Sequence, residues 1–206
     1  GSIHGARHST TWSTPPSRSA ARRPRGPHSN VTRSAPWASA RIAGPASSND
    51  NVRRGLFQIN VESRHELAII SRYAQKYKKT VKVAIRVNPD VDAKTHAKIT
   101  TGKKENKFGI DIDLAPALYA EAKRLKGVEA CGVAVHIGSQ LTDIAPFRKA
   151  YMRVAALVKT LRKQGHKITR VDLGGGIGIT YKNETPVNMD AYARMVADII
   201  TPLDVH

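Results

Sequence analysis

The sequence predicts an α/β protein whose parallel sheet forms part of a (β/α)8 barrel of the TIM type. From residue 56 onward, short apolar segments alternate with longer segments of helical period, in the order β-α-β-α-β-α-β-α. The strands are nearly continuous in apolar residues, which is typical of parallel strands covered by helices. An open doubly wound sheet fits the same pattern. Four strands are about half of the eight in a closed barrel.

Capping and stop residues indicate where the predicted elements begin and end. Ser63 and Glu66 have the spacing of a capping box, which opens the first helix. Asp113 is the expected N-cap of the second helix, and Gly127 and Gly165 follow the ends of the second and third helices. The predicted strands are 56–61, 81–87, 130–136 and 168–173, and the predicted helices are 63–79, 114–126, 144–164 and 189–200.

Residues 1–55 differ in composition from the rest of the chain. The 206 residues include 34 Lys and Arg against 16 Asp and Glu, a net charge of +18, yet residues 1–55 hold nine Arg, no Lys and one Asp. This segment is rich in Ser and Pro and has no strand or helix period, so we predict disorder over 1–55 and a folded domain over 56–206. Its origin is open between a transit peptide, a nucleic-acid-binding arm and a frameshifted, non-native segment.

Composition excludes several classes of protein. Cys131 is the single cysteine, so a disulfide framework and a cysteine-based zinc site are excluded, and we expect no metal. No apolar run approaches the roughly 20 residues that a membrane-spanning helix needs. The net charge of +18 points first to a nucleic-acid or anionic-surface partner.

Two strands end in residues that could bind a ligand. His136 and Ser139 follow the third strand, where an imidazole can stack on a planar cofactor and a hydroxyl can donate to a phosphate. The alternative is a histidine bonded to a loop carbonyl, with Ser139 as a helix cap. Gly174, Gly175 and Gly176 follow the fourth strand, where converging N–H groups can form an anion-binding nest. The alternative is a tight turn that requires positive φ.

The connection over 88–110 is long for a loop between a strand and a helix, and long ordered loops tend to be functional. Lys103, Lys104 and Lys107 could serve an anionic ligand there, but the alternative, a solvated basic loop, is favoured for Lys103 and Lys104. Lys107 is the most interesting of the three because Phe108-Gly109-Ile110 follows it.

Four segments together resemble the diaminopimelate decarboxylase family, which uses pyridoxal 5′-phosphate (PLP). They are FQINVES, RVNPDVDAKTHAKITTGKKENKFGI, GVAVHIGSQLTDIAPF and VDLGGGIGITYKNETP, and the resemblance covers residues 56–200 almost continuously. It implies an alanine-racemase-like (β/α)8 barrel, of which the four predicted strands resemble strands four to seven. It also implies decarboxylation of meso-diaminopimelate to L-lysine and CO2.

The resemblance also implies roles for individual residues. His136 matches the histidine that stacks on the pyridine ring. Ser139 and Gly174–Gly176 match the phosphate contacts, with Gly176 as the expected direct one. Arg86 and Lys107 match basic positions near the active-site mouth or the dimer interface.

Several family motifs are absent from the 206 residues. The Schiff-base lysine of a Tyr-Ala-x-Lys-Ala-Asn motif has no counterpart, since the first lysine of the chain is Lys76. The Glu-Pro-Gly-Arg and Cys-Glu-Ser motifs are also missing. Residues 1–55 stand where strands one to three belong and match none of them, which favours the frameshift and predicts an incomplete copy of the enzyme without a catalytic residue of its own.

The expected partners follow from the family. They are a small amino-acid substrate and a second copy of the chain in a homodimer, with no membrane. The expected compartment is the cytoplasm, or a plastid if the tail is a transit segment. The alternative function, a basic nucleic-acid-binding protein acting through the arginine-rich tail, is less favoured.

Overall fold

Five parallel strands in the order β1-β2-β3-β5-β6 form the sheet, and β4 pairs with the end of β3. The structure, a computed structural model, describes residues 39–41, 45–91, 108–181 and 183–206. The strands are β1 Ser39–Arg41, β2 Gln58–Val61, β3 Val81–Asn88, β4 Ile110–Asp111, β5 Val128–Val135 and β6 Arg170–Asp172. The helices are α1 Pro45–Arg54, α2 Arg64–Lys76, α3 Ala115–Ala122, α4 Ile144–Lys163 and α5 Met189–Ile200, followed by a 3-10 turn at Thr201–Leu203.

This order is that of a partial TIM-type barrel, as the sequence predicted. Each of the four predicted strands and four predicted helices is present, and neighbouring strands are parallel. His206 adds one further rung beside β6, because its N–H donates to the Thr169 carbonyl and its carbonyl accepts from Val171 N–H. None of the helices among the described residues is long and apolar enough to cross a membrane.

The two faces of the sheet differ sharply in chemistry. Ile59, Val83, Ile85 and Val133 are at most 1% exposed and belong to the apolar core with the helices. The opposite face carries alternate residues that are polar or small, because successive side chains of a strand point to opposite faces. On β2, β3, β5 and β6 these residues are Gln58, Asn60, Ala84, Arg86, Gly132, Ala134, Arg170 and Asp172.

The boundary predicted at residue 55 is wrong, because part of the segment 1–55 is folded. Strand β1 pairs with β2, and helix α1 packs on α2. Val52, which is 1% exposed, anchors α1 in the core, and Tyr77 Oη donates to Asn49 Oδ1 at 2.6 Å. A helix with one buried apolar anchor has no visible period, which is why the sequence concealed it. Residues 1–38 and 42–44 lie outside the described residues, so disorder there stays a prediction.

The predicted caps are confirmed in two cases and wrong in two. Ser63 and Glu66 form a complete capping box on α2, and Gly165, with φ of +78°, directly follows the C-cap of α4 at Gln164. Gly127 does not end α3, because that helix already ends at Ala122 with its C-cap at Lys123. Asp113 does not cap α3, whose N-cap is Leu114 without a side-chain hydrogen bond. The reason is that Asp111 Oδ1 accepts the Asp113 N–H at 3.0 Å, so the turn before α3 is closed one step earlier.

Ser63→Ala is expected to lower the free energy of unfolding by about 1 kcal/mol, since Ser63 Oγ accepts the Glu66 N–H that would otherwise lack a partner. Urea denaturation followed by circular dichroism measures the change. Ser63→Thr is the control and should retain most of the stability; equal midpoints for wild type and Ser63→Ala would show that the cap is dispensable.

Candidate functional site

A cavity of about 420 Å³ lies at the carboxyl ends of four strands. Asn60 of β2, Arg86 of β3 and Asp172 of β6 contribute polar side chains, and His136 follows β5 directly. In parallel α/β structures this end of the sheet is where ligands bind. The lining is completed by Ala134, Val135, Gly174 and Gly175.

Two of the three consecutive glycines are required by the backbone. Gly174 has φ of +70° and Gly176 has φ of +102°. A Cβ on Gly174 would lie 2.2 Å from the Val135 carbonyl oxygen, and one on Gly176 would lie 1.9 Å from the Gly138 carbonyl oxygen. Gly175 has no positive φ and a Cβ there would meet nothing within 4 Å. The turn therefore needs glycine at 174 and 176 for conformation and close approach, and tolerates a side chain at 175.

The N–H groups of this glycine turn (174–176) do not all point to one empty site. Gly174 N–H donates to Asp172 Oδ1 at 2.9 Å, and Gly175 N–H donates to His136 Nδ1 at 3.3 Å. Among the described residues, the N–H of Gly176 has no acceptor. The turn thus combines the two predicted alternatives, because it needs positive φ and also leaves one donor for an anion.

The loop after β5 is tied to the glycine turn. Leu141 N–H donates to the Gly176 carbonyl at 2.9 Å, and Gly178 N–H donates to the Leu141 carbonyl at 2.8 Å. His136 and the turn are therefore neighbours in space, as the predicted site requires. Ser139 is exposed on the same loop and does not line the cavity.

Helix α4 supports the strand that leads into the turn. The Tyr151 hydroxyl donates to the Leu173 carbonyl at 3.3 Å and lies 2.7 Å from the Tyr192 hydroxyl of α5. Burial, assisted by the hydrogen bond with Tyr192, raises the pKa of Tyr151 well above its usual range. The hydroxyl therefore stays protonated and acts as a structural donor behind the site.

Arg86 lines the cavity. It is 5% exposed, and its guanidinium Nη1 bonds Glu62 Oε1 at 2.6 Å. The Phe108 ring lies 5.6 Å from the Arg86 guanidinium carbon. Within the described part of the chain, Arg86 Nε is buried without a hydrogen-bond partner. A buried, unpartnered donor is costly, so it marks a place for an acceptor. Lys103, Lys104 and Lys107 lie outside the described residues.

Sequence reasoning missed three polar residues of this face, namely Asn60, Glu62 and Asp172. The signal was present in β2, where polar residues at 58, 60 and 62 alternate with the apolar Ile59 and Val61. Such alternation indicates a strand with one polar face.

The comparisons with known proteins identify the family. The model of the pyridoxal-binding domain of pyridoxal-dependent decarboxylases matches residues 45–203. The chain belongs to this family. The match begins at Pro45 rather than at residue 56, and so it includes α1, in agreement with the folded helix.

Within the decarboxylase family, the chain is similar to diaminopimelate decarboxylases. The chain is 45% identical over 161 residues to that of Pseudomonas aeruginosa, covering 76% of this chain and 39% of the relative. It is 42% identical over 154 residues to that of Aquifex aeolicus, covering 75% and 36%. The crystal structure of the Helicobacter pylori enzyme complexed with L-lysine matches 81% of this chain and 42% of its own, with a TM-score of 0.74 and 36% identity. The chain thus spans about two fifths of the length of these relatives.

The residues present fit the cofactor of this family. A cavity of about 420 Å³ is within the usual range for small-ligand sites, about 300–1,000 Å³. Among the described residues, the N–H of Gly176 and the buried Nε of Arg86 have no acceptor. The N–H of Gly176 suits a phosphate oxygen, and the His136 imidazole offers a flat surface. PLP supplies an acceptor for each donor and a planar ring.

Proposed function

We propose that this chain is the PLP-binding part of a decarboxylase that converts meso-diaminopimelate to L-lysine and CO2. The observation that carries the proposal is the cavity in which His136 is hydrogen-bonded to the glycine turn. Identity of 45% to a diaminopimelate decarboxylase supports the choice of substrate.

Each residue has a proposed task. Gly176 donates its N–H to a phosphate oxygen, and Ser139 adds a hydroxyl from the neighbouring loop. His136 is held by the Gly175 N–H at Nδ1, which orients its ring for stacking on the pyridine ring. Arg86, held by Glu62, directs Nε toward an acceptor on the cofactor or substrate.

PLP, when bound, withdraws electrons so that the bond between the α-carbon and the carboxyl group of the substrate can break and CO2 can leave. The 206 residues contain no Tyr-Ala-x-Lys-Ala-Asn motif to bind the cofactor covalently and no Glu-Pro-Gly-Arg motif. We therefore expect non-covalent binding of PLP and no CO2 release from meso-diaminopimelate by this chain alone. Release at rates typical of the family would contradict this expectation.

His136 variants test the cofactor site. His136→Asn is expected to weaken PLP binding about tenfold while inorganic phosphate binding changes less than twofold. The amide oxygen can still accept the Gly175 N–H, but ring stacking, worth about 1–1.5 kcal/mol, is lost. Titration calorimetry with both ligands measures the difference.

His136→Ala is the comparison variant, because it removes the acceptor as well as the ring. It should weaken PLP binding further. It should also weaken phosphate binding, because the glycine turn loses its hydrogen bond to position 136. If His136→Asn weakens PLP and phosphate equally, the histidine only holds the loop, and its stacking role fails.

We also propose a homodimer. Phe108, Ile179 and Tyr181 are 74%, 58% and 72% exposed. Phe108 lies beside the cavity residue Arg86, and Ile179 and Tyr181 follow β6 after the glycine turn. Large exposed apolar side chains beside the cavity favour burial by a partner. Sedimentation at micromolar concentration tests the assembly.

We keep the cytoplasm as the proposed compartment, since the single cysteine, Cys131, is an unpaired thiol.

A further inference from the structure

A row of hydrogen-bonded amide and carboxylate groups crosses the polar face of the sheet. Gln58 Nε2 donates to Asn60 Oδ1 at 2.9 Å, and Asn60 Nδ2 donates to Asp172 Oδ2 at 2.7 Å. Gly174 N–H donates to the other oxygen, Asp172 Oδ1, at 2.9 Å. In this polar row (Gln58, Asn60, Asp172 and Gly174), every hydrogen bond is donated in the direction of the Asp172 carboxylate.

The contact between Asn60 and Asp172 passes over two intervening strands. Asn60 is on β2 and Asp172 on β6, while β3 and β5 lie between them. Three strand spacings in a flat sheet are about 14 Å, which is beyond the reach of an asparagine and an aspartate. The sheet must curve toward this face, and the small residues Ala84, Gly132 and Ala134 on β3 and β5 leave room for the bond.

Gly132 lies beneath the polar row and has little space for a side chain. A Cβ on Gly132 would lie 2.9 Å from Ala84 Cβ and 3.1 Å from Gln58 Oε1. The absence of a side chain at 132 therefore allows Gln58 to take the position from which it holds Asn60.

Asp172 links this cross-strand anchor to the start of the glycine turn. Its carboxylate is fixed from one side by Asn60 and accepts the first N–H of the turn from the other. His136 Nδ1 accepts the second N–H, from Gly175. With these two N–H groups occupied, the third, on Gly176, has no acceptor among the described residues.

We propose that Asp172, anchored by Asn60 across the sheet, is a positioning residue that sets the glycine turn for phosphate binding. This inference rests on the proposed phosphate role of the turn. Asp172 acts through Gly174 and does not itself contact the phosphate, which its like charge would repel. Its geometric task and its electrostatic effect on an anion therefore oppose each other, and the two can be separated by substitution.

Four variants of the 206-residue chain separate geometry from charge. Asp172→Leu removes the acceptor of Gly174 and the charge together, and Asn60→Leu removes only the anchor. Asp172→Asn with Asn60→Asp exchanges the two groups. In that double variant the carboxylate at 60 accepts from Gln58 and from the amide at 172, whose oxygen accepts the Gly174 N–H. Asn60→Asp alone places two carboxylates together and is the mismatched control.

The first measurement needs no ligand. Amide exchange and 1H–15N shifts of Gly174, Gly175 and Gly176 should change in Asp172→Leu and in Asn60→Leu, and return toward wild-type values in the double variant. If Asn60→Leu leaves all three resonances unchanged, the turn is set without the cross-strand anchor, and the inference is wrong.

The second measurement compares inorganic phosphate, PLP and pyridoxal, which lacks the phosphate. Asp172→Leu and Asn60→Asp are expected to weaken phosphate and PLP at least fivefold and pyridoxal less than twofold. The double variant should restore both phosphate-bearing ligands to within twofold of wild type or better. Equal weakening of all three ligands would mean that Asp172 only supports the sheet, and would overturn the inference. If the wild-type chain binds no phosphate-bearing ligand, the proposed function fails, and the exchange measurement still decides the role of Asp172 in the turn.

Discussion

Gly176→Ala is expected to lose measurable phosphate and PLP binding, whereas Gly175→Ala is expected to fold as the wild type does. Gly176 has φ of +102°, and an added Cβ would lie 1.9 Å from the Gly138 carbonyl oxygen. Left-handed backbone alone costs an L-residue about 1–2 kcal/mol. Relief of this contact must move the loop that joins Gly138 to Leu141. Because this loop follows His136 directly, the histidine moves with it.

The two glycines are a matched pair, since they are adjacent and differ in what their backbone conformation demands. Gly175 has open space for a Cβ and no positive φ. Urea midpoints and phosphate titrations of both variants test the expectation. Equal loss of stability in the two variants would show that glycine is needed at 175 for a reason other than its own conformation.

Glu62→Leu is expected to lower the free energy of unfolding by about 3 kcal/mol, the lower end of the range for removing one partner of a buried ion pair. The Arg86 side chain is 6% exposed and the Glu62 side chain 24% exposed, and the pair is joined at 2.6 Å. Without Glu62, the guanidinium of Arg86, whose Nε has no hydrogen-bond partner in the described part of the chain, loses its carboxylate. Thermal and urea denaturation measure the loss.

The control is a second ion pair with the same distance, whose arginine is exposed. Arg64 and Glu121 are also 2.6 Å apart, but their side chains are 71% and 29% exposed. Arg64→Leu should cost less than about 1 kcal/mol because water screens the pair. The double variant with Glu62→Leu and Arg86→Leu should recover much of the loss. If Glu62→Leu costs no more than Arg64→Leu, Arg86 is stabilised by other groups.

Elements with a strong local pattern were predictable. Two of these elements are the strands predicted at 81–87 and 130–136, which are nearly continuous in apolar residues. A third is the helix that begins after Ser63, which has one apolar face and a capping box at its start. His136 and the glycines were found because they directly follow apolar strands. Helix α1 was missed because its packing depends on Val52 and not on a repeated pattern.

The expectation for the glycine turn was correct in place and incomplete in detail. Three adjacent glycines after a strand indicate a turn that can hold an anion, but not which N–H groups remain available. That depends on Asp172, two residues before the turn, and on His136 from another strand. Side-chain acceptors distant in sequence cannot be inferred from the glycines themselves.

The sequence by itself determined the alternation of strands and helices, the parallel sheet, the family and the end of the sheet that carries the site. The alternation, the parallel sheet and the end of the sheet follow from periodicity and from residues adjacent in the chain, and the family follows from the four segments that resemble it. Only the tertiary structure decided that Asn60 meets Asp172, that Glu62 holds Arg86 and that Gly132 must lack a side chain. These contacts join residues that are far apart in sequence. The contact between Asn60 and Asp172 also crosses two intervening strands, and it forms because the sheet curves toward its polar face.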